Sequence, residues 1–110
     1  MREKSIQYKI LCSAPALKDI ENITEYLVEY SNTTAEKFID HFDKKINLLK
    51  PFPKIGSLPQ IPELRNKGYR ILILKYKYLL FYTINEKEQS IMVERILHGA
   101  RDLRKNLLLH

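Results

Sequence analysis

The sequence predicts a single α+β domain over residues 1–110, in which an N-terminal strand and an antiparallel helix hairpin pack on an antiparallel sheet, with a short C-terminal helix. Three observations carry that prediction. The chain is 110 residues long, 45% apolar and 29% charged, the balance of one globular unit with one core. Residues 16–49 repeat their apolar positions at helical spacing, in two blocks with a short break between them. Residues 68–97 hold three apolar runs of strand length separated by short polar connections.

Tyr8-Lys9-Ile10-Leu11 alternates polar and apolar side chains and reads as the first strand. Ser13-Ala14-Pro15 follows with a capping hydroxyl and a proline suited to a first helical turn, so a helix starts there. Its stripe is Ala16, Ile20, Ile23, Leu27 and Tyr30, with Lys18, Glu21, Glu25 and Glu29 off it. Ser31-Asn32 ends the stripe. Thr33-Thr34-Ala35-Glu36 has the form of a capping box, which predicts Thr33 as the cap of a second helix. Ala35, Phe38, Ile39, Phe42, Ile46 and Leu49 form the apolar face of that helix, and the short break makes the pair a hairpin. Lys50-Pro51-Phe52-Pro53 stops it, and the stretch to Lys67, with Gly56, Pro59 and Pro62, reads as loop.

The strands that follow are residues 68–74, 78–84 and 91–97, and their short connections allow only hairpins, hence an antiparallel meander. Tyr69, Ile71 and Ile73 alternate with Arg70, Leu72 and Leu74, and Tyr78, Leu80, Tyr82 and Ile84 with Leu79 and Phe81, so both sheet faces are apolar. A sheet with one face on a helix pair normally shows water a polar second face. The prediction is therefore that the second face is covered, by residues 100–109, which have helical composition, and by a second protein.

Composition narrows the function classes. No apolar run reaches the length of a membrane span and no signal-peptide core follows the charged start, so the expected location is the cytoplasm. Cys12 is the single cysteine, which leaves no internal disulfide and no metal-ligand spacing, and it reads as a small residue at a strand end. No cofactor motif is visible. The net charge of +6 is uneven: residues 1–66 hold ten Lys/Arg against nine Asp/Glu, and residues 67–110 nine against four. An acidic or polyanionic partner meeting the C-terminal part is the implication.

The most distinctive stretch is Arg95-Ile96-Leu97-His98-Gly99-Ala100-Arg101-Asp102-Leu103-Arg104. A histidine can move a proton near neutral pH and guanidinium groups stabilise charge on phosphoryl oxygens, so a phosphodiester is one target for this string. The structural alternative is that His98 and Asp102 hold a turn, with Asp102 paired to Arg95 or Arg70. Arg70 lies on an apolar strand face and calls for a carboxylate or phosphate partner, Glu94 and Asp102 being the structural candidates. Lys75 and Lys77 flank a hairpin tip where solvated lysines are ordinary, and Tyr76 and Tyr78 beside them have faces on which bases stack. His41, on the polar face of the second helix, and His110, at the chain end, have no evident role.

The order of strand, helix hairpin and Pro-rich loop, then Gly68-Tyr69-Arg70, Tyr78-Leu79-Leu80-Phe81-Tyr82 and Arg95-Ile96-Leu97-His98-Gly99-Ala100-Arg101-Asp102-Leu103, resembles the RelE/ParE toxin superfamily over nearly the whole chain. That resemblance implies the toxin of a type II toxin–antitoxin system, wrapped and neutralised by a cognate antitoxin. Two targets follow from its two branches. RelE-type toxins cut mRNA on the translating ribosome with basic side chains on the sheet and an Arg and a Tyr near the C-terminus. Arg70 and Arg101 match two of those groups, and His98 is similar to the histidine some ribonuclease members carry. Arg70, His98 and Arg101 are thus the catalytic set if the chain is a ribonuclease. Leu72 and Tyr78, however, stand where further cations belong, and no tyrosine follows Tyr82. ParE-type toxins poison DNA gyrase by binding, and Ile96-Leu97-His98 followed by Asp102-Leu103 is similar to that branch. On this reading, which the departures favour, Lys75, Lys77, Tyr78, Arg95, Arg104 and Lys105 are the target-binding residues. An inactive toxin homologue and a basic nucleic-acid-binding module are the remaining alternatives.

Overall fold

The computed structural model describes residues 6–99 and Asp102. A four-stranded sheet carries a helix hairpin on one face, in the order β1 (Lys9–Cys12), α1 (Ala14–Val28), α2 (Asn32–Leu49), α3 (Pro62–Asn66), β2 (Arg70–Ile73), β3 (Tyr78–Asn85) and β4 (Ser90–His98). The predicted α+β class and the three-strand meander are both present. The sheet is mixed, with spatial order β1-β4-β3-β2, because β1 joins it in parallel beside β4, Lys9 opposite Ser90 and Cys12 opposite Val93. The predicted short C-terminal helix falls outside the described residues.

Ser13 caps α1 as its sequence suggests, accepting from the Ala16 N–H at 3.1 Å, with Pro15 in the first turn. The cap of α2 is Ser31, not Thr33: Ser31 Oγ accepts from the Thr34 N–H at 3.0 Å and lies 2.9 Å from Thr34 Oγ1. The helix begins two residues earlier than the capping-box pattern indicated, because Ser31 has the extended backbone a cap requires and Thr33 is already helical. The stripes Ala16, Ile23 and Leu27 on α1 and Ala35, Phe38, Phe42 and Leu49 on α2 are buried against Leu72, Leu80, Tyr82, Ile91, Val93 and Ile96. Tyr30 departs from the predicted stripe, since α1 ends at Val28 and the Tyr30 side chain is 67% exposed.

Part of the second sheet face is covered by this chain itself, while Ile73 on the same face is 68% exposed. Leu64 of α3, a helix inside the stretch read as loop, is fully buried against Phe81 and Leu97, with Ile61, Tyr69, Ile71 and Leu79 around them. Prolines that excluded a long helix admit this short one, Pro62 standing in its first turn where no N–H is needed. A bulge at Glu94 keeps both faces apolar: Phe81 is opposite Arg95 but Tyr82 is opposite Val93, so Val93 and Ile96 reach the helix side together. No helix among the described residues is long and apolar enough to cross a membrane.

Candidate functional site

The two ends of β3 organise the polar residues of the sheet. At the end nearer Asn85, Tyr82 is fully buried, and its hydroxyl donates to the Pro53 carbonyl at 2.7 Å and accepts from the Gly56 N–H at 2.9 Å. Burial holds its phenol above the ordinary tyrosine pKa. Arg70, opposite Tyr82, donates to the Gly56 carbonyl at 2.7 Å and to that of Lys54 at 3.3 Å. The expected carboxylate partner is replaced by main-chain oxygens of the Pro-rich loop, which the arginine ties to the sheet. Gly56 is the residue that permits this approach, since a Cβ there would stand 2.6 Å from the Tyr82 hydroxyl and 2.9 Å from the Ile71 carbonyl.

On the α1 side of β4, Asp19 binds Arg95 in two-pronged fashion, at 2.7 Å to Nε and 2.9 Å to Nη2, and also accepts the Ile96 N–H at 2.9 Å. One carboxylate thus neutralises a half-buried guanidinium and closes the part of the β4 edge that β1 does not reach. This contact raises the Arg95 pKa above its ordinary value. Asp102, the other expected partner of Arg95, accepts the His98 backbone N–H at 3.2 Å, so the turn-holding role for His98 and Asp102 is present.

At the opposite end of β3, Tyr78 stands across from His98, their rings edge-to-face at 5.0 Å, with Phe38 behind Tyr78 at 5.4 Å. Lys75–Lys77 makes one 3-10 turn before β3, and Tyr76 and Lys77 both have left-handed backbone, φ 62° and 67°. Between this turn and the tip of the helix hairpin opens a cleft of about 600 Å³ lined by Tyr26, Leu27, Tyr30, Thr34, Tyr76, Tyr78 and His98. Tyr26 and Tyr30 form one wall, their hydroxyls 2.8 Å apart, a bond that holds the Tyr30 phenol above its ordinary pKa. Tyr26, Tyr78 and His98 also border a smaller hollow of about 270 Å³ that reaches Asp19, Arg95 and Asp102.

The structure therefore brings Lys75, Lys77, Tyr78 and His98 to one end of the sheet and leaves Arg70 at the other. Arg70 is opposite Tyr82 and His98 opposite Tyr78, four residues along β3, a separation of about 13 Å along the strand. Arg95 is engaged by Asp19 between them. Arg101, Arg104 and Lys105 lie outside the described residues. Sequence reading missed Tyr26, Tyr30 and Asp19. The signal for Asp19 was available: it falls three residues after Ala16 and four before Ile23, a carboxylate on the buried stripe. Among the described residues no cluster of three or more His, Cys, Asp or Glu suits a metal ion.

The family model of the ParE toxin of the type II toxin–antitoxin system parDE matches residues 10–103. Among solved structures, the chain is similar to a chromosomal ParDE system from P. aeruginosa, with a TM-score of 0.68 and 17% identity over 86% of this chain and 99% of that one. It is also similar to the intact E. coli RelBE toxin–antitoxin complex, at 0.58 and 18% over 86% and 99%. The isolated E. coli RelE toxin gives 0.58 and 17% over 93% and 95%. At these identities the structures establish a common fold. No curated protein matches the sequence.

Proposed function

The chain belongs to the ParE toxin family of type II toxin–antitoxin systems, and from that premise we propose that it arrests growth by binding DNA gyrase and is neutralised by a cognate antitoxin. The observation that carries this reading is the engagement of the sheet's cations. Arg70 is held by two loop carbonyls and Arg95 by Asp19, and about 13 Å of strand separates Arg70 from His98. A general acid–base pair and an oxyanion-stabilising cation must converge on one phosphate, and groups bound in this way are spent on the fold. Binding requires only a complementary surface. Lys75 and Lys77 on the strained turn form the described part of the target-binding group in this reading, with Tyr78 and Arg95 supporting it from within, and Arg104 and Lys105, outside the described residues, are assigned to it by the sequence. An antitoxin meets the exposed apolar side chains Phe52, Ile55, Leu58 and Ile73 on the loop and the β2 edge.

One observation favours the ribonuclease alternative: His98 lines an open cleft and is not sealed in the core. The experiment that separates the two combines purified gyrase, relaxed plasmid and the chain, alongside mapping of mRNA 5′ ends after brief induction. The gyrase reading expects inhibited supercoiling with intact mRNA. Codon-registered cuts together with unaffected supercoiling would overturn it and make Arg70, His98 and Arg101 the residues to replace.

A further inference from the structure

We infer that the cleft between the helix-hairpin tip and the Lys75–Lys77 turn is a seat for an aromatic base carrying a phosphate. Four of the seven tyrosines, Tyr26, Tyr30, Tyr76 and Tyr78, line this one cleft. Tyr26, Tyr30 and Tyr76 are 51%, 67% and 40% exposed, so three rings have been left unburied around a single hollow. A volume of about 600 Å³ is in the range of small-molecule sites, about 300–1,000 Å³, and holds a nucleotide with room for water. Phenol rings offer faces to a base of any identity.

Charge points the same way. No carboxylate is among the residues lining this cleft, Asp19 and Asp102 lining the adjoining hollow instead, whereas His98 is on the wall and exposed Lys75 and Lys77 precede and follow Tyr76 in the turn. An anion is favoured there. The backbone adds an independent observation: Tyr76 and Lys77 sit in the left-handed region, at φ 62° and 67°, where a residue with a Cβ is strained. Strain of this kind gathers at ligand clamps and switch regions, and here it falls on a turn that places the Tyr76 ring in the cleft wall. Gly99, at φ 53°, lets the chain leave β4 beneath the same turn, where its Cβ position is 4.0 Å from the Lys77 carbonyl.

The phosphate-bearing base has two sources, a free nucleotide or a nucleotide within a single strand. The inference does not depend on gyrase, and its test uses no gyrase. Fluorescence anisotropy of a labelled oligodeoxyadenylate and calorimetric titration with dAMP are run on the purified chain, Tyr30→Ala, Tyr76→Gly and Lys75→Gln/Lys77→Gln. Tyr30 is a surface side chain and glycine adopts the Tyr76 backbone without strain, so both variants keep the fold, checked by circular dichroism. The expected result is binding that each tyrosine variant weakens about tenfold, in line with the loss of one stacked base, about 1–3 kcal/mol, while the lysine variant weakens it and flattens its salt dependence. Binding of dAMP alone assigns the free nucleotide, and binding of the strand alone assigns single-stranded nucleic acid. The proposal is overturned if neither probe binds, or if the lysines matter and the tyrosines do not, the pattern of plain charge attraction or of a cleft that receives a peptide.

Discussion

Tyr78 and Tyr82 are four residues apart on β3 and face the same helix pair, yet they close opposite kinds of surroundings. Around Tyr82 every polar group named above is answered from within: its hydroxyl bridges Pro53 and Gly56, and Arg70 braces the same loop. Around Tyr78 the ring is wedged between Phe38 and His98, and beyond it lie a strained turn, exposed phenols and a cleft. One end of the sheet is built to hold and the other to receive. The lesson is that residue type does not separate the two, because both ends have a tyrosine, a cation and a neighbouring glycine. A loop tied to the sheet by buried side-chain hydrogen bonds at one end, and exposed rings beside a left-handed turn at the other, separate them.

The largest test of this contrast is Gly56→Ala. Its methyl group meets the Tyr82 ring and the Ile71 carbonyl in a site that cannot yield cheaply, so a loss of about 2–3 kcal/mol is expected, seen as a Tm lowered by roughly 10 °C. Next comes Tyr82→Phe. It strands the buried Gly56 N–H and the Pro53 carbonyl, for about 2 kcal/mol in urea titration. The same variant has a pH signature. The Tyr82 pKa is raised in the folded state above its ordinary value near 10, so its contribution is full below that pH and is lost as pH rises through the folded value. Alkaline melting scans should therefore show a shallower loss of stability above about pH 10 in Tyr82→Phe than in the parent chain.

Smaller effects belong to the open end. Ser31→Ala should lower stability by about 1 kcal/mol while Thr33→Ala leaves it within about 0.3 kcal/mol, a direct comparison of the two hydroxyls by thermal melting. Smallest is Tyr76→Gly, expected to stabilise the fold by about 0.5 kcal/mol, because relief of the left-handed backbone outweighs the added freedom of the unfolded chain. A methyl added to the holding end and a ring removed from the receiving end thus act in opposite directions. Equal destabilisation by both would erase the distinction.

Local chemistry made much of this architecture legible. Ser13 with Pro15 fixed the start of α1, the Phe38, Phe42 and Leu49 spacing fixed the buried side of α2, and the short connections around residues 75–77 and 86–89 left only hairpins. What escaped was set by tertiary contact. Ser31 and Thr33 are both good caps, and the choice between them depends on which backbone is extended. The parallel pairing of β1 with β4 joins residues about eighty positions apart and leaves no local mark. Arg70 on an apolar face calls for a carboxylate or phosphate partner, whereas main-chain carbonyls, which have no signature in a sequence, hold it. Ile61 and Leu64 bury Phe81 and Leu97 from a stretch whose prolines disguised one helical turn, and the share of cover expected of residues 100–109 falls outside the described residues. Tyr30 continued the α1 stripe on paper, and the end of the helix at Val28 turned it toward the cleft instead.

The measurement that bears most directly on the division of labour between the two ends is gyrase supercoiling inhibition, with Lys75→Gln/Lys77→Gln and Tyr82→Phe assayed side by side well below their melting temperatures. The lysine variant should lose inhibition with an unchanged Tm, and Tyr82→Phe should keep inhibition despite a lower Tm. Full inhibition by the lysine variant, together with loss in Tyr82→Phe, would contradict the account and move the working surface to the loop that Arg70 and Tyr82 hold.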